Sequence, residues 1–167
     1  AAVEPNLAVS IGPLRLKKPV MVATGTYGFG DEFDPVMDVS QLGALVVKSV
    51  TLEPRLGNPT PRIFETASGM LNSIGLENKG IDVFETRTIV HLRGYSTVRI
   101  VNIAGKTVAD YVELARRLDR LEGVDGLELN LSCPNVTCGG MSFSVHPPLT
   151  EEVVAAVRKA TRLPLIV

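Results

Sequence analysis

The chain has 167 residues, 45% of them hydrophobic, enough for a single globular domain with its own core. A formal net charge of −1 offers no electrostatic case for nucleic-acid binding. No run approaches the roughly 18 apolar residues of a membrane span, so no membrane association is expected.

Residues 1–7 lack the basic and apolar regions of a signal peptide. With only two cysteines in the chain, this points to a reducing, cytoplasmic setting, where cysteine is more often catalytic or buried than bridged. Residues 7–11 and 14–17 flank Gly12-Pro13 and predict a short hairpin. Residues 19–23 follow as a short apolar strand running into a glycine-rich turn, 24–30. Residues 31–39 predict a helix that ends near Gly43. Residues 44–49 predict a second, buried strand. The segment 50–80 is rich in proline, has little period and reads as a long loop. Residues 81–93 predict a helix and residues 98–103 a third strand.

The next helix carries the clearest signal. Thr107 opens it with Asp110 three residues on, a start like a capping box. Val108, Val112, Ala115 and Leu118 then share one face. Residues 126–131 predict a fourth strand. After a loop to Pro148, Thr150 is expected to cap a helix with Val153, Val154 and Val157 inward. Its charges suit the helix dipole, with Glu151 and Glu152 early and Arg158 and Lys159 late. Residues 164–167 begin a fifth strand.

Strands alternating with helices through short crossovers imply a parallel sheet. Two α/β architectures compete, the eight-stranded β/α barrel and the open doubly wound sheet. Both place chemistry at the carboxyl ends of strands. Thr24, Lys48, Asn102, Asn130 and Cys133 all fall at or just past such an end.

Strand four alternates. Leu127, Leu129 and Leu131 share a face suited to packing under helices, while Glu128 and Asn130 share the other, the interior of a barrel. A buried carboxylate needs a partner. Lys48 is the only lysine in the strands, and it either pairs with Glu128 or faces a bound anion or flavin. Its place at a strand's carboxyl end favours the second. Cys133 sits in a turn with Pro134, where an active-site loop is expected. A free cysteine is otherwise most often a small buried hydrophobe. Zinc would need about four ligands, and two cysteines with two histidines make no metal site expected. A Cys133–Cys138 disulfide runs against the expected compartment.

Ala23-Thr24-Gly25-Thr26-Tyr27-Gly28-Phe29-Gly30 lacks the third glycine of a dinucleotide fingerprint. It is either a flexible turn or a close backbone approach to a flat cofactor. Asn72-Ser73-Ile74-Gly75-Leu76 lies in the long loop. Its Asn72 offers a donor and an acceptor for an amide-bearing ligand, but the residues alone favour a plain Asn turn.

Taken in order, these segments resemble the class 1 dihydroorotate dehydrogenases. The stretches that carry the resemblance are residues 23–30, Val47-Lys48-Ser49-Val50-Thr51, Arg55-Leu56-Gly57-Asn58-Pro59-Thr60-Pro61-Arg62, residues 72–76, Val101-Asn102-Ile103-Ala104-Gly105 and Asn130-Leu131-Ser132-Cys133-Pro134-Asn135. The wording around Gly69-Met70-Leu71-Asn72 and Gly139-Gly140-Met141 is similar to the NAD-linked branch, class 1B. Thr137-Cys138 and Ser144-Val145 depart from the family pattern.

The resemblance implies a TIM-type β/α barrel. Residues 1–167 would be the amino-terminal part of a single FMN-binding domain, covering strands one to four and the start of the fifth, with an N-terminal hairpin. It implies oxidation of dihydroorotate to orotate, with hydride passing to FMN. Cys133 would be the general base. Thr24, Lys48, Ser49, Asn102 and Asn130 would contact FMN. Lys48, Asn72, Ser73, Ile74, Gly75, Leu76, Asn130 and Asn135 would hold the substrate. In class 1B a second subunit carries FAD and a 2Fe–2S cluster and passes electrons to NAD. The runners-up are class 1A, a homodimer reducing fumarate, and a non-catalytic half-barrel. The family continues past Val167 with an FMN-contacting lysine and phosphate-binding loops. The chain alone is therefore expected neither to hold FMN firmly nor to turn over.

Overall fold

The computed structural model describes residues 5–132 and 143–167. Strands β1 (Val9–Ile11) and β2 (Leu14–Leu16) form the N-terminal hairpin, paired antiparallel. Five strands then form one parallel sheet in the order β3 (Met21–Val22), β4 (Ala44–Val50), β7 (Val98–Ile103), β8 (Gly126–Leu129) and β9 (Leu165–Ile166). Between β4 and β7 a separate antiparallel hairpin pairs β5 (Ile63–Thr66) with β6 (Gly69–Asn72).

Alternation along the strands sorts side chains onto two faces. Leu45, Val47, Val101, Ile103, Leu127 and Leu129 join a large buried cluster with Ile81, Phe84, Leu92, Tyr111, Leu114, Val153 and Val157, which come from the helices. Their neighbours Ala44, Val46 and Ile100 pack instead against Leu14 and Leu16 of the N-terminal hairpin. The helices thus cover one face only, and the hairpin closes the base of the other. A doubly wound sheet carries helices on both faces; this sheet is a segment of a β/α barrel, as expected.

Helix α3 (Val108–Leu118) begins as its sequence dictates. The Thr107 hydroxyl accepts from the Asp110 amide at 3.2 Å, and Asp110 accepts in return from the Thr107 amide. A second helical run joins α1 (Gly80–Val83) and α2 (Ile89–Leu92) through a wide π-helical turn at Phe84–Thr88. Arg117 binds both Glu85 and Asp82 from α3, and these carboxylates raise its already high pKa further. Among the described residues no helix is long and apolar enough to cross a membrane.

Three expectations are corrected. The helix over 31–39 is instead two 3₁₀ turns, Asp31–Phe33 and Val39–Gln41. Pro35 supplies no N–H there and disfavours a continuing helix. The helix expected from Thr150 is α4 (Pro147–Ala160), capped at His146 with prolines in its first turn, where a missing N–H costs nothing. The Thr150 hydroxyl donates to the Phe143 carbonyl at 2.7 Å instead. Finally, the long loop holds the β5–β6 hairpin. Its faces are both exposed, so no buried-face alternation announced it.

Candidate active site

The polar ends of β4, β7 and β8 meet on the inner face. A shift in the β4–β7 register between Val47 and Val50 marks a bulge, and bulges re-aim side chains near active sites. The Ser49 hydroxyl donates to Asn102 Oδ1 at 2.5 Å and accepts from Asn130 Nδ2 at 3.1 Å. Asn102 Nδ2 donates to Glu128 Oε1 at 2.6 Å. Ser49 is 5% exposed and Asn102 1%, so their polar atoms depend on one another rather than on bulk water. Asn130 is half-buried and retains Oδ1 and one N–H beyond this network.

Backbone bonds hold these ends in place. The Asn130 amide donates to the Ile103 carbonyl, and its own carbonyl accepts from the Tyr111 hydroxyl at 2.6 Å. Thr24 stands beside β4, with its hydroxyl on the Val47 carbonyl at 3.0 Å. The following glycine-rich turn is anchored through Tyr27, which stacks on Phe33 with ring centroids 4.2 Å apart. The Tyr27 hydroxyl is buried without a partner among the described residues, and that burial, with Asp34 nearby, raises its pKa. Tyr95 donates to Asp34 at 2.6 Å from the far side; burial first and this bond second raise the Tyr95 pKa.

Lys48 is not part of the network. Its amide donates to the Gly28 carbonyl at 2.9 Å. Its side chain lines a cavity of about 650 Å³ with Phe29, Glu32, Asn78 and Arg87, a wall that excludes Ser49, Asn102 and Asn130. No Lys48–Glu128 ion pair forms among the described residues; Glu128 takes Asn102 instead.

The segment 72–76 is not the Asn turn that its residues favour. Asn72 ends β6, opposite Ile63. Ser73 accepts twice from Asn58 Nδ2, at 2.8 Å by its carbonyl and 2.9 Å by its hydroxyl. Asn58 in turn donates its amide to the Ile74 carbonyl, and Arg55 reaches the Gly75 carbonyl. Arg62 pairs with Glu77 close by. Leu76 has a φ of 58°, and it lines a cavity of about 380 Å³ with Thr51, Ala104 and Asp110. Strain of this kind clusters at ligand sites. Asn72 through Leu76 make no hydrogen bond to the Ser49 network among the described residues.

One organising residue went unread in the sequence. Asn78 is buried and accepts from the Thr51 and Gly80 amides, while its Nδ2 donates to Thr51 Oγ1 and the Leu76 carbonyl. It ties the Leu76 carbonyl to Thr51 and Gly80, yet nothing in its local spacing distinguishes it. Cys133 and Asn135 lie outside the described residues, as does Cys138.

Comparison with known proteins completes the picture. Residues 6–167 match the family model described as dihydroorotate dehydrogenase. A protein of Thermoanaerobacter sp. (strain X514), named dihydroorotate dehydrogenase B (NAD(+)), catalytic subunit, is 49% identical over 162 residues, covering 97% of this chain and 53% of that protein. The protein of the same name from Alkaliphilus oremlandii (strain OhILAs) is 52% identical over 162 residues, with the same coverage. The crystal structure of the Eimeria tenella enzyme, DHODH in complex with ferulenol, superimposes with a TM-score of 0.78 at 29% identity, covering 94% of this chain and 44% of that one. The chain spans about half the length of the curated relatives it matches. A one-sided β/α sheet with its polar residues at the strand ends, matched over nearly its whole length, makes this chain a member of the dihydroorotate dehydrogenase family.

Proposed function

We propose that residues 1–167 are the amino-terminal part of a single FMN-binding barrel domain that oxidises dihydroorotate to orotate. The observation that carries this reading is the joined trio Ser49, Asn102 and Asn130 at the carboxyl ends of β4, β7 and β8, where β/α barrels do their chemistry. The donor set suits a flat heterocycle. Asn130 keeps an acceptor and a donor side by side, and Lys48 Nζ has no partner among the described residues. Thr24, Lys48, Ser49, Asn102 and Asn130 would hold FMN. Lys48, residues 72–76, Asn130 and Asn135 would hold the substrate.

In this reading Cys133, as thiolate, takes the proton from C5 of dihydroorotate while C6 gives up hydride, and the C5–C6 double bond forms. FMN, when bound, supplies the hydride acceptor. An unperturbed thiol has a pKa of about 8.5, so turnover should rise with pH. Lys48 and the asparagines orient the planar anion and stabilise charge that develops on it. The relatives' name supports NAD as final acceptor through a partner subunit. By the class 1B resemblance that subunit would carry FAD and a 2Fe–2S cluster, and the catalytic subunit would be a homodimer.

The test uses the full-length protein. Cys133→Ala should keep its flavin and lose turnover by about 10²–10⁴-fold, the usual worth of a positioned base. Cys133→Ser should retain a little activity, mainly at high pH. NAD, and not fumarate, should serve as oxidant when the partner subunit is present. Near-normal turnover of the alanine variant at neutral pH would refute the base, and efficient fumarate reduction would move the protein to class 1A.

A further inference from the structure

We infer that Glu128 is a positioning residue that fixes which hydrogen-bonding group Asn130 presents to a bound ligand. This rests on the reading that the inner strand ends face flavin and substrate. A carboxylate can only accept. Glu128 Oε1 therefore commits Asn102 to turn its Nδ2 toward it, at 2.6 Å. That leaves Asn102 Oδ1 facing Ser49, whose hydroxyl must donate, at 2.5 Å. The Ser49 oxygen is then an acceptor, and it takes Asn130 Nδ2 at 3.1 Å. Each bond dictates the direction of the next. At the end of the relay Asn130 keeps its Oδ1 and one N–H, in an order set by a carboxylate two residues back along the same strand.

An asparagine carboxamide is close to symmetric in shape, so packing alone does not choose between its two orientations. The choice matters because a site built for a donor rejects an acceptor strongly. Without Glu128, Asn102 can turn over, Ser49 can reverse, and Asn130 can exchange amide for oxygen. Burial of Ser49 and Asn102 keeps solvent from substituting for the lost anchor.

Two measurements on the full-length protein test this. The first needs no ligand. In Asn-labelled protein, with assignments from Asn102→Asp and Asn130→Asp, the side-chain amide resonances of both asparagines should move in Glu128→Leu. In Ser49→Ala the Asn130 resonance should no longer respond to Glu128→Leu. The second reads orotate affinity from the flavin spectrum. Glu128→Leu should weaken orotate about 10-fold, on the scale of a donor–acceptor mismatch. Glu128→Gln, which can still accept from Asn102, should stay within about 3-fold. Glu128→Leu should add little in a Ser49→Ala background, because the two act through one relay.

An unmoved Asn130 resonance, or fully additive effects of Glu128→Leu and Ser49→Ala, would overturn the inference. Should wild-type protein bind neither FMN nor orotate, the proposed function fails instead, and the resonance shifts still decide the relay. Equal loss in the glutamine and leucine variants, with Asn130 unmoved, would mean that Glu128 contributes charge or packing and no polarity.

Discussion

A methyl group on residue 75 would stand 2.8 Å from the Asn58 amide nitrogen, and the backbone there has a φ of 81°. Only glycine meets both demands, the left-handed conformation and the close approach of another backbone. Gly75→Ala should therefore cost about 1–3 kcal/mol, seen as a lower denaturant midpoint. In the full-length protein it should also weaken orotate, since it displaces the segment between Asn58 and Leu76. Gly69→Ala is the control: the nearest atom is Thr66 Oγ1 at 3.8 Å, so its midpoint should hardly move. At this scale the sequence revealed what alternation exposes. Asn102 and Asn130 close strands whose other face is apolar, so their inward direction was readable. Ser49 was not: alternation sets it with Leu45 and Val47 on the helix side, and the bulge between Val47 and Val50 turns it inward. Asn78 was not, because its importance lies in Thr51, 27 residues earlier in the chain. The place of Lys48 at a strand's carboxyl end argued against Glu128 as its partner, and Glu128 binds Asn102 instead.

Elements were legible where local chemistry and tertiary demand agree. The Thr107–Asp110 box placed the start of α3 because the cap satisfies amides within its own turn. The β5–β6 hairpin was missed because its two-residue connection, Ala67-Ser68, carries no glycine or asparagine turn signal. The start of α4 was placed four residues late because Thr150 looked like a cap while the Pro147-Pro148 pair already opened the helix. One element junction has a pH dependence. Asp119, closing α3, accepts from the Thr161 hydroxyl at 2.5 Å and the Arg162 amide at 2.8 Å. These bonds, the Thr161 one first, lower its pKa below the ordinary 3.8. A carboxylate depressed on folding stabilises the fold above its unfolded value, and the contribution is lost as pH falls through the folded one. Asp119→Asn should flatten the acid limb of the stability curve, and Asp119→Ala should also lower the plateau at neutral pH. Thermal melts from pH 2 to 7 check both; an unchanged acid limb in the asparagine variant would remove Asp119 from the account.

Across the whole molecule, stability and chemistry occupy opposite faces of one sheet. The base of the inner face depends on a hairpin that belongs to no barrel strand. Leu16, 1% exposed, packs with Ala44, Val46 and Ile100. Leu16→Ala should destabilise by about 2–5 kcal/mol, whereas Leu56→Ala, at a side chain 92% exposed, should stay within about 0.5 kcal/mol. Chemical denaturation of the pair measures the difference. The β8 run concentrates the division in five residues. Leu127, Leu129 and Leu131 face the helices, and Glu128 and Asn130 alternate with them on the inner side. Substitutions there act on one face at a time. The loss or gain of a single codon acts on both, because it rotates every later side chain to the other face. A carboxylate would enter the hydrocarbon layer as leucines replaced the amides at the site. This stretch should accept point changes during divergence while rejecting frame-preserving insertions and deletions, and length variation should accumulate instead in the exposed turn between Thr66 and Gly69.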